Sequence, residues 1–443
     1  MVALFSLFWL IFLQIELNIK MLLIFGLVLL FLYHGVYYGV ALLFSKKVGL
    51  WIFPLILCGL EFIRGSGEIG FPWLTLGYSQ ARYPIIIQQA SLYGVYGLSL
   101  WLAMVNVLLY RALRARRLVP WCTALVLFAL PLGYGILAMN SNQGVAINIG
   151  IIQPNIDPNL KFTRAMREET FDRLIRLSEK CALNFEERNN TKLDVIVWPE
   201  TATPVFLTFP GDHQQRVFDL VDRLVIPVFT GTPVYEQKTK DIYNGAVLIT
   251  PDQGIVQEYR KIHLVPFGEH IPYDQYIPAF RKIDVGGGDY RPGNTYTVFE
   301  IPRAKFSCMI CFESIFPELG FRFTNKGAQI LVNITNDGWF GKISGPHQHN
   351  DMFILRAVEN RVPLARSSNT GISMLVDRYG RILYETPLFE ETIIAGTVHL
   401  APQRTLFQII GNTLPILALM IVAFSLILGL IRQQKKERGV DFN

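Results

Sequence analysis

Apolar positions run almost uninterrupted over long stretches near both ends of the chain, while the middle breaks into short runs of a different period. An α-helix needs about 20 apolar residues to cross a hydrocarbon core about 30 Å thick. Residues 21–44, 48–63, 85–110, 119–139 and 406–431 meet or approach that length. A sixth run, Val2 to Leu13, is shorter and ends at Gln14 and Glu16. No small-residue cleavage site follows it, so it is read as a span rather than a secretory leader.

The middle of the chain predicts an α/β domain. Strands are expected at 145–152, 193–198, 226–231, 244–250, 306–311, 329–335, 363–368, 372–377 and 393–398, and helices at 164–183, 212–224 and 347–360. Several of these strands are apolar throughout, as when a sheet is covered on both faces. The pattern divides the chain into a membrane domain over 1–140, a catalytic-type domain over 141–405, a further span over 406–431 and a basic tail over 432–443.

Composition agrees: 51% of positions are hydrophobic and 17% charged, too apolar for an ordinary soluble protein. The net charge of +6 matters through its placement. Lys46 and Lys47, the run RALRARR (111–117) and the run RQQKKER (432–438) fall on one side if there are six spans, which makes that side cytoplasmic. The α/β domain then lies on the opposite face, tethered at both ends. No basic tract suggests nucleic acid. The five cysteines are an odd number, two of them inside apolar spans, so no disulfide framework is indicated.

Reactive side chains in open α/β sheets collect past the carboxyl ends of strands. Three ionisable groups sit at such ends: Glu200 in IVWPETATP, Lys261 in EYRKIHLVPFGEHIP, and Cys311 in AKFSCMICFESIFP. The last stretch admits a redox CxxC pair, a metal knuckle, a buried strand or the seat of a nucleophile. A carboxylate takes the proton of a thiol, an ammonium steadies the resulting oxyanion, and together the three describe acyl transfer through a thioester. Singly, a glutamate or lysine after a strand is more often a solvated loop residue, and a strand cysteine a small core hydrophobe, which suits Cys308. His347, His349 and Asp351 have a spacing a metal could use, but hydrogen bonding within a loop is the favoured reading. The loops at 201–211 and 264–294, with three glycines at 286–288, are long enough for lids or lipid contact, Phe206, Phe209, Phe267 and Tyr273 being candidates to enter lipid.

The flanking residues carry more. WPETATP, YRKIHLVPFGEHIP and ICFE, in that order, resemble the Glu, Lys and Cys signatures of the nitrilase superfamily. HLVPFGE, EFIRGSGEIGFPWLTLGYSQ (61–80), NITNDGWFGKISGPHQH (333–349) and RSSNTGIS (366–373) resemble its membrane-bound branch, the apolipoprotein N-acyltransferases. The resemblance implies an αββα sandwich on the periplasmic side of the bacterial inner membrane. It implies transfer of an acyl chain from a phospholipid, typically phosphatidylethanolamine, to the α-amine of a diacylglyceryl-cysteine lipoprotein. Glu200 matches its general base, Lys261 its oxyanion stabiliser and Cys311 its nucleophile. Glu269, Glu313 and Asn244 match supporting residues, and Phe162, Trp73 and Trp339 fall at substrate-binding positions, with Trp73 expected at the lipid entrance. Phe312 stands where the family often has Tyr, and Phe162 where it has Trp, so a hydroxyl and an indole are lost. The family commonly has eight spans against the six read here, an even difference that leaves sidedness unchanged. No cofactor or metal is implied, and a monomer is expected. The alternatives are a membrane-anchored amidase acting on a small amide and a non-catalytic scaffold with the same fold.

Overall fold

The computed structural model describes residues 7, 10, 17–115, 118–139, 144–158, 160–274, 276, 290–400 and 403–437. The run Val2 to Leu13, apart from residues 7 and 10, and the glycines at 286–288 lie outside the described residues. The chain divides into two units, one of Ile15–Asn140 with Thr405–Asn443, the other of Ser141–Arg404.

The first unit is helical: α1 (Leu17–Val48), α2 (Phe53–Arg64), α3 (Ala90–Ala115), α4 (Leu118–Ala138) and α9 (Thr413–Glu437). Among the described residues four segments have the length and hydropathy to cross a membrane: Ile24–Val48, Ala90–Arg114, Leu118–Ala138 and Thr413–Ile431. The run 48–63 is not one of them. Gly49, at φ 115°, ends α1, a turn at Leu50–Ile52 intervenes, and α2 has only 12 residues, about 18 Å of rise. The last span also begins later than its apolar pattern, because Gly411 at φ 52° separates a turn at Leu406–Ile410 from α9. Near the start of α3, Gly94 adopts φ 70°, and a Cβ there would stand 2.3 Å from the ring of Phe407.

Buried charge fastens the α2–α3 connection. Glu61 and Arg64 are both buried; the amide of Leu76 donates to Glu61 Oε1 at 2.8 Å, and Arg64 donates to Thr75 Oγ1 at 3.4 Å. Trp73, in the turn Pro72–Leu74, is 5% exposed and stacks on Phe71 at 5.9 Å.

The second unit holds two six-stranded sheets among the described residues, ordered β12-β1-β2-β3-β4-β5 and β11-β10-β9-β8-β7-β6. The strands of the first are β1 (Val145–Gln153), β2 (Val195–Val197), β3 (Val228–Glu236), β4 (Asp241–Thr250), β5 (Gly254–Arg260) and β12 (Thr392–Leu400). Those of the second are β6 (Phe299–Ile301), β7 (Ala304–Ile310), β8 (Ile330–Thr335), β9 (Leu364–Ser368), β10 (Met374–Val376) and β11 (Ile382–Glu385). Within each sheet the central strands are parallel: Ile151 pairs with Val197 and Val197 with Phe229, while Ile310 pairs with Ile334 and Ile334 with Ser367. Their carboxyl ends are therefore level.

Helices α5 (Arg164–Asn189) and α6 (Asp212–Leu224) cover the first sheet. Phe171, Leu174, Cys181, Val217, Leu220 and Val221 pack with Ile152, Ile196, Trp198, Val228 and Ile249, each buried large side chain contributing roughly 1.5–3 kcal/mol. Between the sheets Phe229 meets Phe299 and Phe306 edge-on at 4.9 and 5.1 Å. Helices α7 (Pro317–Asn325) and α8 (Ser344–Asn360) belong to the second half, giving the αββα sandwich. Strands β5, β6 and β11 are absent from the apolar pattern, because β6 and β11 are short and β5 carries Gln257 and Glu258 at half-buried positions.

Candidate active site

Four strands deliver the site. Past β2 lies Glu200, past β5 Lys261, past β7 Cys311, and past β8 Asn336 and Asp337. The Glu200 turn lies flat on β3, where a Cβ at Gly231 would stand 2.8 Å from Glu200 Cα, so only glycine permits the approach. Lys261 is registered by its own amide, which donates to Asn244 O of β4 at 2.8 Å.

Two carboxylates share this lysine. Lys261 Nζ lies 2.8 Å from Glu269 Oε2 and 3.7 Å from Glu200 Oε1. Asn244 Nδ2 donates to both, at 2.8 Å to Glu200 Oε1 and 2.8 Å to Glu269 Oε1. The remaining oxygens accept main-chain donors, Glu200 Oε2 from Asn336 N at 3.0 Å and Glu269 Oε2 from Val265 N at 2.8 Å. Glu200 and Lys261 are buried and Glu269 is half-buried, so their mutual interactions are screened far less than on the surface.

Cys311 opens a 3-10 turn, Cys311–Ile315, rather than an α-helix, and α7 starts only at Pro317. Its φ is +50°, the left-handed region that costs an L residue free energy. Neighbours hold it there through its carbonyl, which accepts from Ser314 Oγ at 3.0 Å, His349 Nε2 at 3.1 Å and Asn333 Nδ2 at 3.3 Å. Behind this is a buried network in which Arg366 pairs with Asp337 at 2.6 Å, donates to Asn333 Oδ1, and reaches His349 Nδ1 at 3.0 Å. His349 Nδ1 also lies 3.0 Å from Asp337 Oδ1, and burial, then Arg366, draw the imidazole below its ordinary value. Thr335 donates to Asp337 Oδ1 at 2.8 Å and hydrogen-bonds the Cys311 side chain.

Glu313 does something different from the carboxylates around Lys261. Its Oε1 accepts from Tyr259 OH (2.8 Å), Ile262 N (2.7 Å) and His263 N (3.0 Å), and its Oε2 from Ile310 N (2.7 Å). It thus ties the turn carrying Cys311 to the segment carrying Lys261.

The electrostatics follow from burial and partners. Burial pushes Glu200 above the usual carboxylate range; Lys261 opposes this and Glu269 adds to it. Burial opposes charge on Lys261 also, but Glu269 and Glu200 outweigh it and keep the ammonium protonated. Burial raises Glu269 too, but Lys261 outweighs it and holds that carboxyl below its ordinary value. Burial, then Glu200, push the Cys311 thiol up. Cys311 therefore rests as a thiol, whose proton a neighbouring base must take. A thiolate forms only as the sulfur finds an electrophile.

Of the other positions singled out in the sequence, Phe312 is buried and meets Phe316 edge-on at 5.1 Å. Phe162 and Trp339 are exposed, and Trp73 belongs to the other unit. Phe267 is exposed and adopts φ +61°. Cys308 is fully buried in β7. His349 lies on α8 rather than in a loop, and its ring nitrogens meet protein groups. Sequence reading missed Lys161, Thr335, Asp337 and Arg366, although NITNDGW and RSSNTGIS carry three of them, Thr335 and Asp337 at the end of β8 and Arg366 within β9. Lys161 Nζ reaches Glu200 O at 3.5 Å.

Comparison with known proteins adds two family matches and two relatives. Residues 148–405 match the family described as Carbon-nitrogen hydrolase, and residues 1–108 match the Apolipoprotein N-acyltransferase N-terminal domain. The chain is 38% identical to the apolipoprotein N-acyltransferase of Geobacter metallireducens, over 84% of this chain and 71% of that protein. It is 30% identical to the apolipoprotein N-acyltransferase of Chlorobaculum tepidum, over 88% of this chain and 79% of that protein.

Proposed function

The chain belongs to the apolipoprotein N-acyltransferase family, and from that premise we propose how its own residues carry out lipoprotein N-acylation. A phospholipid, with phosphatidylethanolamine the first candidate, donates an acyl chain to Cys311, and the α-amine of a diacylglyceryl-cysteine lipoprotein then receives it. The observation that carries the reading is the Glu200–Lys261–Glu269 arrangement bridged by Asn244, in which the charges of Glu200 and Lys261 act on the Cys311 side chain.

In the first half, Cys311 Sγ attacks the ester carbonyl carbon while its proton passes to Glu200. Lys261, held charged by Glu269, faces the negative charge that develops on the carbonyl oxygen. The carbon–oxygen bond breaks, the lysophospholipid oxygen takes the proton from Glu200, and a thioester remains. In the second half the amine nitrogen attacks the thioester, loses a proton to Glu200, and the carbon–sulfur bond breaks. The sulfur recovers the proton. Asn244 keeps the two carboxylates apart and aligned, and Glu313 maintains the register between the Cys311 turn and the Lys261 segment. Phe162 and Trp339 supply exposed aromatic surface for the lipid substrates.

The reading also takes the first unit, with Thr413–Glu437, as an inner-membrane domain and the second as periplasmic, acting as a monomer. Lys46 and Lys47 in the last turn of α1 and Arg114 in the last turn of α3 support this, since both ends then lie in the cytoplasm. The chain must re-cross between them through Leu50–Arg64, where the turn before α2 adds length to a short helix.

Purified protein incubated with phosphatidylethanolamine and a diacylated lipopeptide should add one acyl chain to the peptide by mass spectrometry. Absence of any gain with the wild type defeats the activity. Transfer by a Cys311→Ala variant defeats the thioester.

A further inference from the structure

Lys161 is a buried lysine with no role in the scheme above. It lies between β1 and α5, is 2% exposed, and its ammonium donates to the main-chain oxygen of Glu200 at 3.5 Å. A buried ammonium without a carboxylate in contact is costly. The charges around it give a reason for its presence. Asp337 is paired with Arg366 at 2.6 Å, and Glu269 takes Lys261 at 2.8 Å. Glu200 has only the more distant share of Lys261, at 3.7 Å, although it must be ionised to accept a proton.

We propose that Lys161 is a positioning residue for the reaction, the counter-charge that keeps Glu200 ionised and so able to take the proton of Cys311. The inference rests on Glu200 being the base of the proposed transfer. Glu200 is faced by Lys261 and Glu269 from the segment after β5, by Asp337 after β8, by Cys308 and Cys311 of the β7 end, by Tyr290, and by Lys161. Within that set only Lys261 and Lys161 favour the carboxylate form, and Lys261 is already engaged by Glu269. Burial draws Lys161 down to about 8 while Glu200 pulls it the other way, so the ammonium stays charged at neutral pH. Lys161 also adjoins exposed Phe162, so a shift of that segment by a bound lipid would move the counter-charge with it.

The test follows Cys311 itself. The rate of alkylation of Cys311 by iodoacetamide, read on its own peptide by mass spectrometry, is measured against pH in the full-length protein. The wild type should show an inflection that disappears in Glu200→Gln. Lys161 and Glu200 attract each other, and a neighbouring opposite charge lowers a carboxyl pKa by about 1–3 units, so Lys161→Met should move the inflection up by at least about one unit. Near its acid limb the rate should fall roughly tenfold, and Lys161→Arg should restore the wild-type position. Superimposable wild-type and Lys161→Met profiles would overturn the proposal, as would a slower Lys161→Met rate with no shift in pH. Because alkylation needs no lipid, failure of acyl transfer in the wild type would sink the functional reading and leave this measurement decisive for Lys161. Should Lys161→Met fail to fold, Lys161→Gln carries the same expectation.

Discussion

Replacing Cys311 by glycine should stabilise the protein relative to replacing it by alanine, the reverse of the usual order. Cys311 sits at φ +50°, where an L side chain costs about 1–2 kcal/mol and glycine costs nothing sterically. Alanine keeps the Cβ and therefore the strain. Glycine removes it but loses more backbone entropy on folding, roughly 0.5–1 kcal/mol against alanine. The difference leaves the glycine variant ahead by about 0.5–1 kcal/mol. For a unit of this size that amounts to about 1–4 °C in Tm. The two variants lack the same thiol, so their comparison cancels lost sulfur contacts. The assay is thermal unfolding of the detergent-solubilised full chain by tryptophan fluorescence, both variants side by side. Met309, two residues earlier and within β7, supplies the internal control: there alanine should exceed glycine. If Cys311→Ala equals or exceeds Cys311→Gly, the strain argument fails. The three side chains gripping the Cys311 carbonyl would then need another explanation.

Other outcomes follow from the same geometry. Burial raises Glu200, so acyl transfer should fall on the acid side with a midpoint above the ordinary carboxylate value of about 4.3; a midpoint at or below it would remove Glu200 as the base. Asn244→Leu strips a hydrogen bond from each of two carboxylates, each worth roughly 1.5–3 kcal/mol, and transfer assayed with a lipopeptide should drop by about 10–100-fold or more. Asp337→Ala leaves the Arg366 guanidinium buried without its partner, and chemical denaturation should show a loss of roughly 3–5 kcal/mol. Glu313→Ala leaves the amides of Ile262, His263 and Ile310 without an acceptor; the alkylation rate of Cys311 and the melting temperature should fall together, whereas a purely chemical role would spare the latter.

Periodicity and length were enough for much of the architecture. Apolar runs without alternation marked β1, β4 and β8 as strands covered on both faces, because burial on two sides leaves no polar register to show. Strand exits singled out Glu200, Lys261 and Cys311, since a polar group directly after a buried strand has few places to go but the sheet edge. In the run 48–63 the helix is shorter than the apolar pattern. Apolarity measures what lipid or core will accept, whereas Gly49 and Pro54 decide where a helix starts, and α2 has only 12 residues.

By itself, then, the sequence determined that the chain has a membrane part and a two-sided α/β part, and which three side chains stand at strand ends. Only the tertiary structure decided which charges share which. That Lys261 prefers Glu269 to Glu200, that Asn244 bridges the two, that Glu313 binds four donors, and that Lys161 lies against the Glu200 turn are matters of a few ångströms between segments far apart in the chain. Hydrophobic patterning is local and repeats along one element, so it can be read in one dimension. Pairing of buried charge depends on distance and solvent exclusion, and neither exists until the two sheets are packed.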